Sequence, residues 1–287
     1  IMEINQRIFP IYTEVAKEPV TICEAIDAKV FGFPFFNDGV TKLRNQMSFK
    51  KTYKLEEINI HNEDKLLELK GFIFHTSHCG STLLSRMLNV SPDIRIVSET
   101  EAINGLLLAY LLNGLPEKEI LIQLKSIINA YRQPIGKEKY LIFKFTSWNV
   151  FMVNLFQKLY PTVKWIYIDR NTEEVVKSLQ KSDGGMEGWY YHPVDILRRH
   201  FFGNDYKVKN KENYLIHLVE QHRKQATKFK NDNLCSITYP EFLDQFETTI
   251  LPHFNLKFTK HNIKEMKEII ALNSKSYQKE PYRHKKE

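Results

Sequence analysis

The stretch GFIFHTSHCGSTLLSRMLNVSPDIRIVSETE, residues 71–101, decides the fold. Phe72-Ile73-Phe74 is a short apolar run that suits a strand buried on both faces. Ser77-His78-Cys79-Gly80-Ser81-Thr82 is a turn rich in small residues. From Thr82 onward, Leu83, Leu84, Met87 and Leu88 fall at helical spacing until Ser91-Pro92-Asp93 ends the pattern. A loop feeding a helix presents unpaired backbone N–H groups and the positive end of the helix dipole, which together make a seat for phosphate or sulfate. Gly80 lets the backbone approach such an anion, and Ser81 and Thr82 add hydroxyl donors.

The same alternation continues outward. Residues 103–112 and 117–131 carry apolar positions at helical spacing, 140–145 reads as a strand, and 150–159 as a helix that Tyr160-Pro161 breaks. Residues 163–168 form the next expected strand, and Asp169-Arg170-Asn171 turns into a helix over 172–182. A long amphipathic helix over 214–229, a strand over 233–239 and a helix opening at Pro240 complete the series. Strands alternating with helices predict an α/β fold, a three-layer sandwich around a central parallel sheet. The chain reads as one domain over 1–287, with an N-terminal extension (1–70) packed on a core (71–255) and a C-terminal helix and basic tail (256–287). In the extension, 20–23 reads as a strand, 23–26 as a turn of helix, Asn37-Asp38-Gly39 as a turn and 62–69 as a helical turn. Phe31-Gly32-Phe33-Pro34-Phe35-Phe36 is an aromatic cluster, either core or substrate-lining. Residues 184–193, glycine-rich and then aromatic, suit either a loop that covers a site or a connection pinned by its aromatics.

Composition narrows the function classes. A hydrophobic content of 43% over 287 residues supports a sizeable core without disulfides. Cys23, Cys79 and Cys235 are odd in number and far apart, which argues against a secreted disulfide framework and for a reducing, cytoplasmic setting. No apolar run approaches the length of a membrane span, and the N-terminal residues lack a basic-then-apolar signal pattern. The net charge of +7 suits an anionic ligand, yet part of it sits in Arg283-His284-Lys285-Lys286, so neither nucleic acid nor membrane is needed to explain it.

With Gly80 set at the second glycine of the nucleoside-triphosphate signature G-x-x-x-x-G-K-[ST], His75 stands in place of the first glycine and Ser81 in place of the lysine. The stretch instead resembles the phosphosulfate loop of the sulfotransferases: strand, Pro-[Lys/Arg]-Ser-Gly-[Ser/Thr]-Thr, helix. Ser77 to Thr82 occupy those six places. The similarity continues through Leu83-Leu84, Ser91-Pro92-Asp93-Ile94-Arg95 and Ser98-Glu99-Thr100, nearest to the tyrosylprotein and Golgi-type branch, and Tyr239-Pro240-Glu241-Phe242-Leu243 resembles the stretch that closes the family core. The resemblance spans residues 71–255 and implies a sulfotransferase fold of the P-loop nucleotide-binding kind. It implies 3′-phosphoadenosine 5′-phosphosulfate (PAPS) as sulfuryl donor, adenosine 3′,5′-bisphosphate (PAP) as product, and no metal. Carried over, Ser77, His78, Cys79, Gly80, Ser81 and Thr82 hold the 5′-phosphosulfate and Glu99 is the general base. Arg170, just after its strand, and Ser178, eight residues on, hold the 3′-phosphate.

One place departs from the family. His78 stands where a cationic Lys or Arg assists the leaving group, and a neutral imidazole supplies no charge. Three accounts stay open: bound phosphates hold His78 cationic, Lys144 at the end of its strand takes over, or the activity is altered. Each residue also has a plainer reading. Glu99 would only cap the next helix, Lys144 would be a charge at a strand end, Cys79 would be chosen for fit rather than as a nucleophile, and Trp189, Tyr190 and Tyr191 would pack rather than stack on a ligand ring. His75, His78 and Cys79 lie close in sequence, but a structural zinc site needs four ligands in paired spacings and no second cluster accompanies them. The expected reaction is sulfuryl transfer to a hydroxyl or amine of a small-molecule, peptide or carbohydrate acceptor. A small-molecule kinase of the P-loop class and a non-catalytic nucleotide-binding protein are the alternatives.

Overall fold

The structure is a computed structural model and describes residues 6–45, 51–60, 63–182, 185–192, 195–207 and 209–271. The basic tail at 283–286 lies outside the described residues. In chain order the elements are β1 (Gln6–Thr13), β2 (Thr21–Asp27), α1 (Phe36–Arg44), β3 (Thr52–Lys54), β4 (Glu68–His75), α2 (Ser81–Leu88), β5 (Ile94–Ser98), α3 (Glu101–Asn113) and α4 (Glu117–Tyr131). They continue with β6 (Tyr140–Lys144), α5 (Val153–Leu159), β7 (Lys164–Arg170), α6 (Thr172–Leu179), α7 (Ile196–Phe202), α8 (Lys211–Lys228), β8 (Leu234–Tyr239), the single turn α9 (Leu251–His253) and α10 (Lys260–Ile270).

Five strands form a parallel sheet in the order β5-β6-β4-β7-β8, so the fold is α/β with a central parallel sheet. Alternation along each strand sorts the two faces by chemistry. On one face Phe72, Phe74, Leu141, Phe143, Trp165 and Tyr167 join a core with α3, α4, α5 and α8. On the other, Ile73, Ile94, Ile96, Ile142, Ile166, Ile168 and Ile237 pack with Leu84 and Met87 of α2 and with Phe246, Phe254 and Met266. Burying each such side chain contributes about 1.5–3 kcal/mol, which makes this two-sided burial the main fixative of the sheet. β4 lies at the centre, hydrogen-bonded to β6 on one side and β7 on the other, with Phe72 opposite both Phe143 and Trp165.

The N-terminal residues form a second sheet, antiparallel, in the order β1-β2-β3. Its Phe9 and Ile11, with Phe31 and Phe36, belong to the same apolar cluster as α3 and α4. Two local expectations fail here. Residues 23–26 are strand, because Cys23 pairs with Pro10 of β1 and Tyr53 of β3. Asn37-Asp38-Gly39 lies inside α1, where the buried Phe36, Val40 and Leu43 outweigh the turn preference of those three residues. The helix expected over 150–159 begins as a 3₁₀ segment, Ser147–Met152, before α5. Of 62–69, Glu63–Lys65 forms one 3₁₀ turn and Glu68 already starts β4, while Asn62 lies outside the described residues.

Candidate active site

β4 ends at the carboxyl edge of the sheet, where its own chain continues to β5 on one side while that of its neighbour β7 continues to β8 on the other, and such a switch is where an open parallel sheet forms its crevice. His75 closes the strand. Its Nε2 lies 2.8 Å from the Phe145 carbonyl and its Nδ1 3.0 Å from that of Thr76. Burial first, and then the nearby Lys144 ammonium, push its pKa down to about 3, so His75 is a neutral pin for the start of the loop.

The loop is held open by left-handed residues, His78 at φ 56° and Gly80 at φ 85°. A Cβ at position 80 would stand 2.6 Å from Cδ2 of Tyr239, so glycine is required twice over. No side chain caps α2, which leaves its first-turn N–H groups facing the loop. Ser81 and Thr82 are buried in that turn, and Ser77 donates from Oγ to Oγ of Ser147 at 3.0 Å. Cys79 is wholly buried in the isoleucine-rich layer, and burial pushes its thiol up to about 12. It therefore contributes packing and main chain rather than a thiolate.

Residues distant in sequence converge on His78. Arg170, the last residue of β7, donates from Nη1 to the His78 carbonyl at 3.0 Å and from Nε to Glu174 at 2.7 Å, with its guanidinium 4.9 Å from the Tyr239 ring. Oγ of Ser178, on α6, lies 2.6 Å from Nδ1 of His78. The loop, Arg170 and Ser178 are thus gathered in one place.

Glu99 and Lys144 form the other lip. Glu99 has φ 52°, its N–H donates to the Lys144 carbonyl at 2.8 Å, and its carboxylate pairs with the Lys144 ammonium. The cap of α3 is Thr100, whose Oγ1 accepts from the Ala102 N–H, so Glu99 is not the capping residue. Lys144 is buried, yet its Nζ reaches to 3.4 Å from Oγ1 of Thr82. An ammonium from the end of β6 therefore sits beside the start of α2, where neither His78 nor Ser81 brings a fixed charge.

Within the aromatic cluster that the sequence left as core or substrate-lining, Phe35 has a half-buried ring 5.0 Å from the Lys144 ammonium, whereas sequence reasoning missed Asn37, whose Oδ1 accepts from the Glu101 N–H at 3.0 Å. The buried spacing of Phe36, Val40 and Leu43 was the available signal for their helix. It also missed Arg223 on α8, one charge among many on an amphipathic helix. Trp189 stacks on Phe201 at 5.8 Å and neighbours Trp148, the packing alternative, whereas Tyr191 is exposed; Gly184 and Pro193 of that loop lie outside the described residues. Among the described residues no three His, Cys, Asp or Glu side chains are grouped to hold a metal ion, and no helix is long and apolar enough to cross a membrane.

No protein-family profile matches the chain, and no curated protein matches it in sequence. Among solved structures it is similar to a sulfotransferase from Alicyclobacillus acidocaldarius, at 13% identity over 70% of this chain and 90% of that one, with a TM-score of 0.43. It is similar to a sulfotransferase from Mycobacterium tuberculosis, at 13% identity over 71% of this chain and 72% of that one, TM-score 0.47. A mouse sulfotransferase complexed with PAP is 14% identical over 71% of this chain and 64% of that one, TM-score 0.39. Each of these three solved structures is a sulfotransferase, the family that the loop at 77–82 resembles.

Proposed function

We propose that the protein is a sulfotransferase that moves a sulfuryl group from PAPS to a hydroxyl or amine of a small-molecule, peptide or carbohydrate acceptor. The observation that carries this proposal is the meeting of Arg170 and Ser178 with the loop at His78. Two motifs that match the family in separate places of the sequence form one donor-rich site.

The donor set fits a nucleotide bisphosphate. Ser77, Ser81 and Thr82 offer hydroxyls and the first turn of α2 offers N–H groups for the 5′-phosphosulfate, while Arg170 and Ser178 offer a planar fork and a hydroxyl for the 3′-phosphate. PAPS supplies an activated sulfuryl group whose S–O bond to phosphate breaks as the acceptor bonds to sulfur, with the bonding pair leaving on PAP. Glu99 takes the proton from the acceptor. Lys144 balances the Glu99 carboxylate and, beside Thr82, brings to the leaving phosphate a positive charge of the kind that the family carries at the place of His78. The cysteines, all unpaired, fit a reducing cytoplasm, and we take 1–287 as one unit built around this site.

The test is calorimetric titration with PAP, with AMP and ATP as controls, on the wild type and Arg170→Ala. Wild-type protein should select PAP, and Arg170→Ala should weaken PAP by about 10- to 100-fold, the loss of hydrogen bonds to a charged group. Preference for ATP, or an Arg170→Ala variant with undiminished PAP affinity, would overturn the assignment.

A further inference from the structure

We propose that Arg223, on α8, is a positioning residue that presets the 3′-phosphate end of the donor site and ties it to the mouth of the loop. This rests on the sulfotransferase assignment and extends it to a residue outside every motif that suggested it. The Arg223 guanidinium spends three donors around Arg170. Nε donates to Oδ2 of Asp169 at 2.6 Å, Nη1 to Oγ1 of Thr172 at 2.6 Å, and Nη2 to the Arg170 carbonyl at 2.7 Å.

Asp169 passes the constraint on. Its Oδ1 accepts from the Arg170 N–H at 2.8 Å and from Oγ1 of Thr76 at 3.2 Å, and Thr76 Oγ1 also lies 2.5 Å from the Tyr167 hydroxyl. Both main-chain polar groups of Arg170 are therefore fixed by this pair, while its side chain is directed at His78. Thr76 is the residue from which the loop departs. One planar fork on α8 thus sets the backbone of the 3′-phosphate ligand and, through Asp169, the origin of the 5′-phosphosulfate loop. Lysine cannot reproduce this, because a single ammonium cannot span three acceptors in a plane. A misplaced phosphate ligand forfeits much of its interaction, so the effect should be read in recognition of the 3′-phosphate.

The experiment measures PAP and AMP affinities by calorimetry, with thermal unfolding alongside, for the wild type, Arg223→Lys and Thr172→Val. AMP lacks the 3′-phosphate, so the ratio of the two affinities isolates that group. Arg223→Lys should reduce the ratio by about tenfold and Thr172→Val by a smaller factor in the same direction, on the scale of one or two hydrogen bonds to charged groups. A lowered Tm with an unchanged ratio would make Arg223 a structural brace only and would overturn the proposal. Should Arg223→Lys fail to fold, an unchanged ratio in Thr172→Val overturns it equally. Wild-type protein without preference for PAP over AMP would overturn the donor assignment itself, a result distinct from a variant that keeps the wild-type ratio.

Discussion

Glu99 holds its carboxylate on a backbone in the left-handed region, at φ 52°, a conformation that costs a non-glycine residue about 1–2 kcal/mol. Its N–H bond to the Lys144 carbonyl and its ion pair with the Lys144 ammonium hold that conformation in place. The carboxylate is thereby held by main chain and side chain together, as the base proposed above requires. Glu99→Gln keeps the shape and removes the proton acceptor. Transfer to any acceptor used by the wild type should fall by about 10²- to 10⁴-fold in kcat, the usual worth of general-base catalysis. PAP affinity should stay near the wild-type value by calorimetry; a parallel loss of binding would make Glu99 a structural member of the Lys144 pair instead. Ser77 to Thr82, Arg170 and Ser178 were legible in the sequence because each lies in a short string tied to a strand or helix end. Asn37 and Arg223 were not, because each acts through contacts with residues far along the chain.

The loop and α2 work as one element, and Gly80 is where they join. Alanine there meets both a φ of 85° and a Cβ 2.6 Å from the Tyr239 ring, so the loop must shift or Tyr239 must leave its place near the Arg170 guanidinium. Gly80→Ala should lower stability by about 1–2 kcal/mol, seen as a drop in Tm, and should weaken PAP by more than that strain alone explains. An unchanged PAP affinity would remove the loop main chain from the donor site. Elements buried on both faces, such as β4, β6 and β7, were readable because their runs of Phe, Ile, Leu, Trp and Tyr leave no other packing. β1 was not, since its register shifts between Pro10 and Tyr12, where proline has no N–H to give the ladder. The three-residue β3 is too short to leave a pattern.

Two buried histidines tie the stability of the whole molecule to pH. His75 and His222 have pKa values pushed down to about 3 and about 4, chiefly by burial, against about 6.5 in an unfolded chain. Lowered folded values mean that their contribution is fully present above pH ~6.5 and is lost as pH falls, because the unfolded chain then binds protons that the folded one refuses. At pH 5 each should cost about 2 kcal/mol, so Tm should drop between pH 7 and pH 5, and His222→Gln should show roughly half the drop assigned to the pair. A Tm independent of pH over that range would mean that these rings are protonated in the fold. The halves of the molecule meet at a second sensitive point. Gly105 brings α3 against β1 so closely that a Cβ would stand 2.1 Å from the Thr13 carbonyl oxygen, in a contact also held by the Thr13 hydroxyl donating to the Ala102 carbonyl at 2.7 Å. Backbone cannot step aside as a side chain can, so Gly105→Ala should cost about 1–3 kcal/mol and move the β1-β2-β3 sheet away from α3. Phe35 and α1 follow that sheet, with Asn37 linking the Ile11 carbonyl of β1 to the Glu101 N–H beside Glu99. The loop, Arg170 and Ser178 belong instead to α2, β7 and α6. Because Phe35 stands 5.0 Å from the Lys144 ammonium that pairs with Glu99, we take this sheet as the wall on the acceptor side, and Gly105→Ala should then lower kcat/KM for the acceptor by about tenfold while PAP affinity changes by less than about twofold. Equal losses for donor and acceptor would mean that the N-terminal sheet supports the whole crevice rather than its acceptor side.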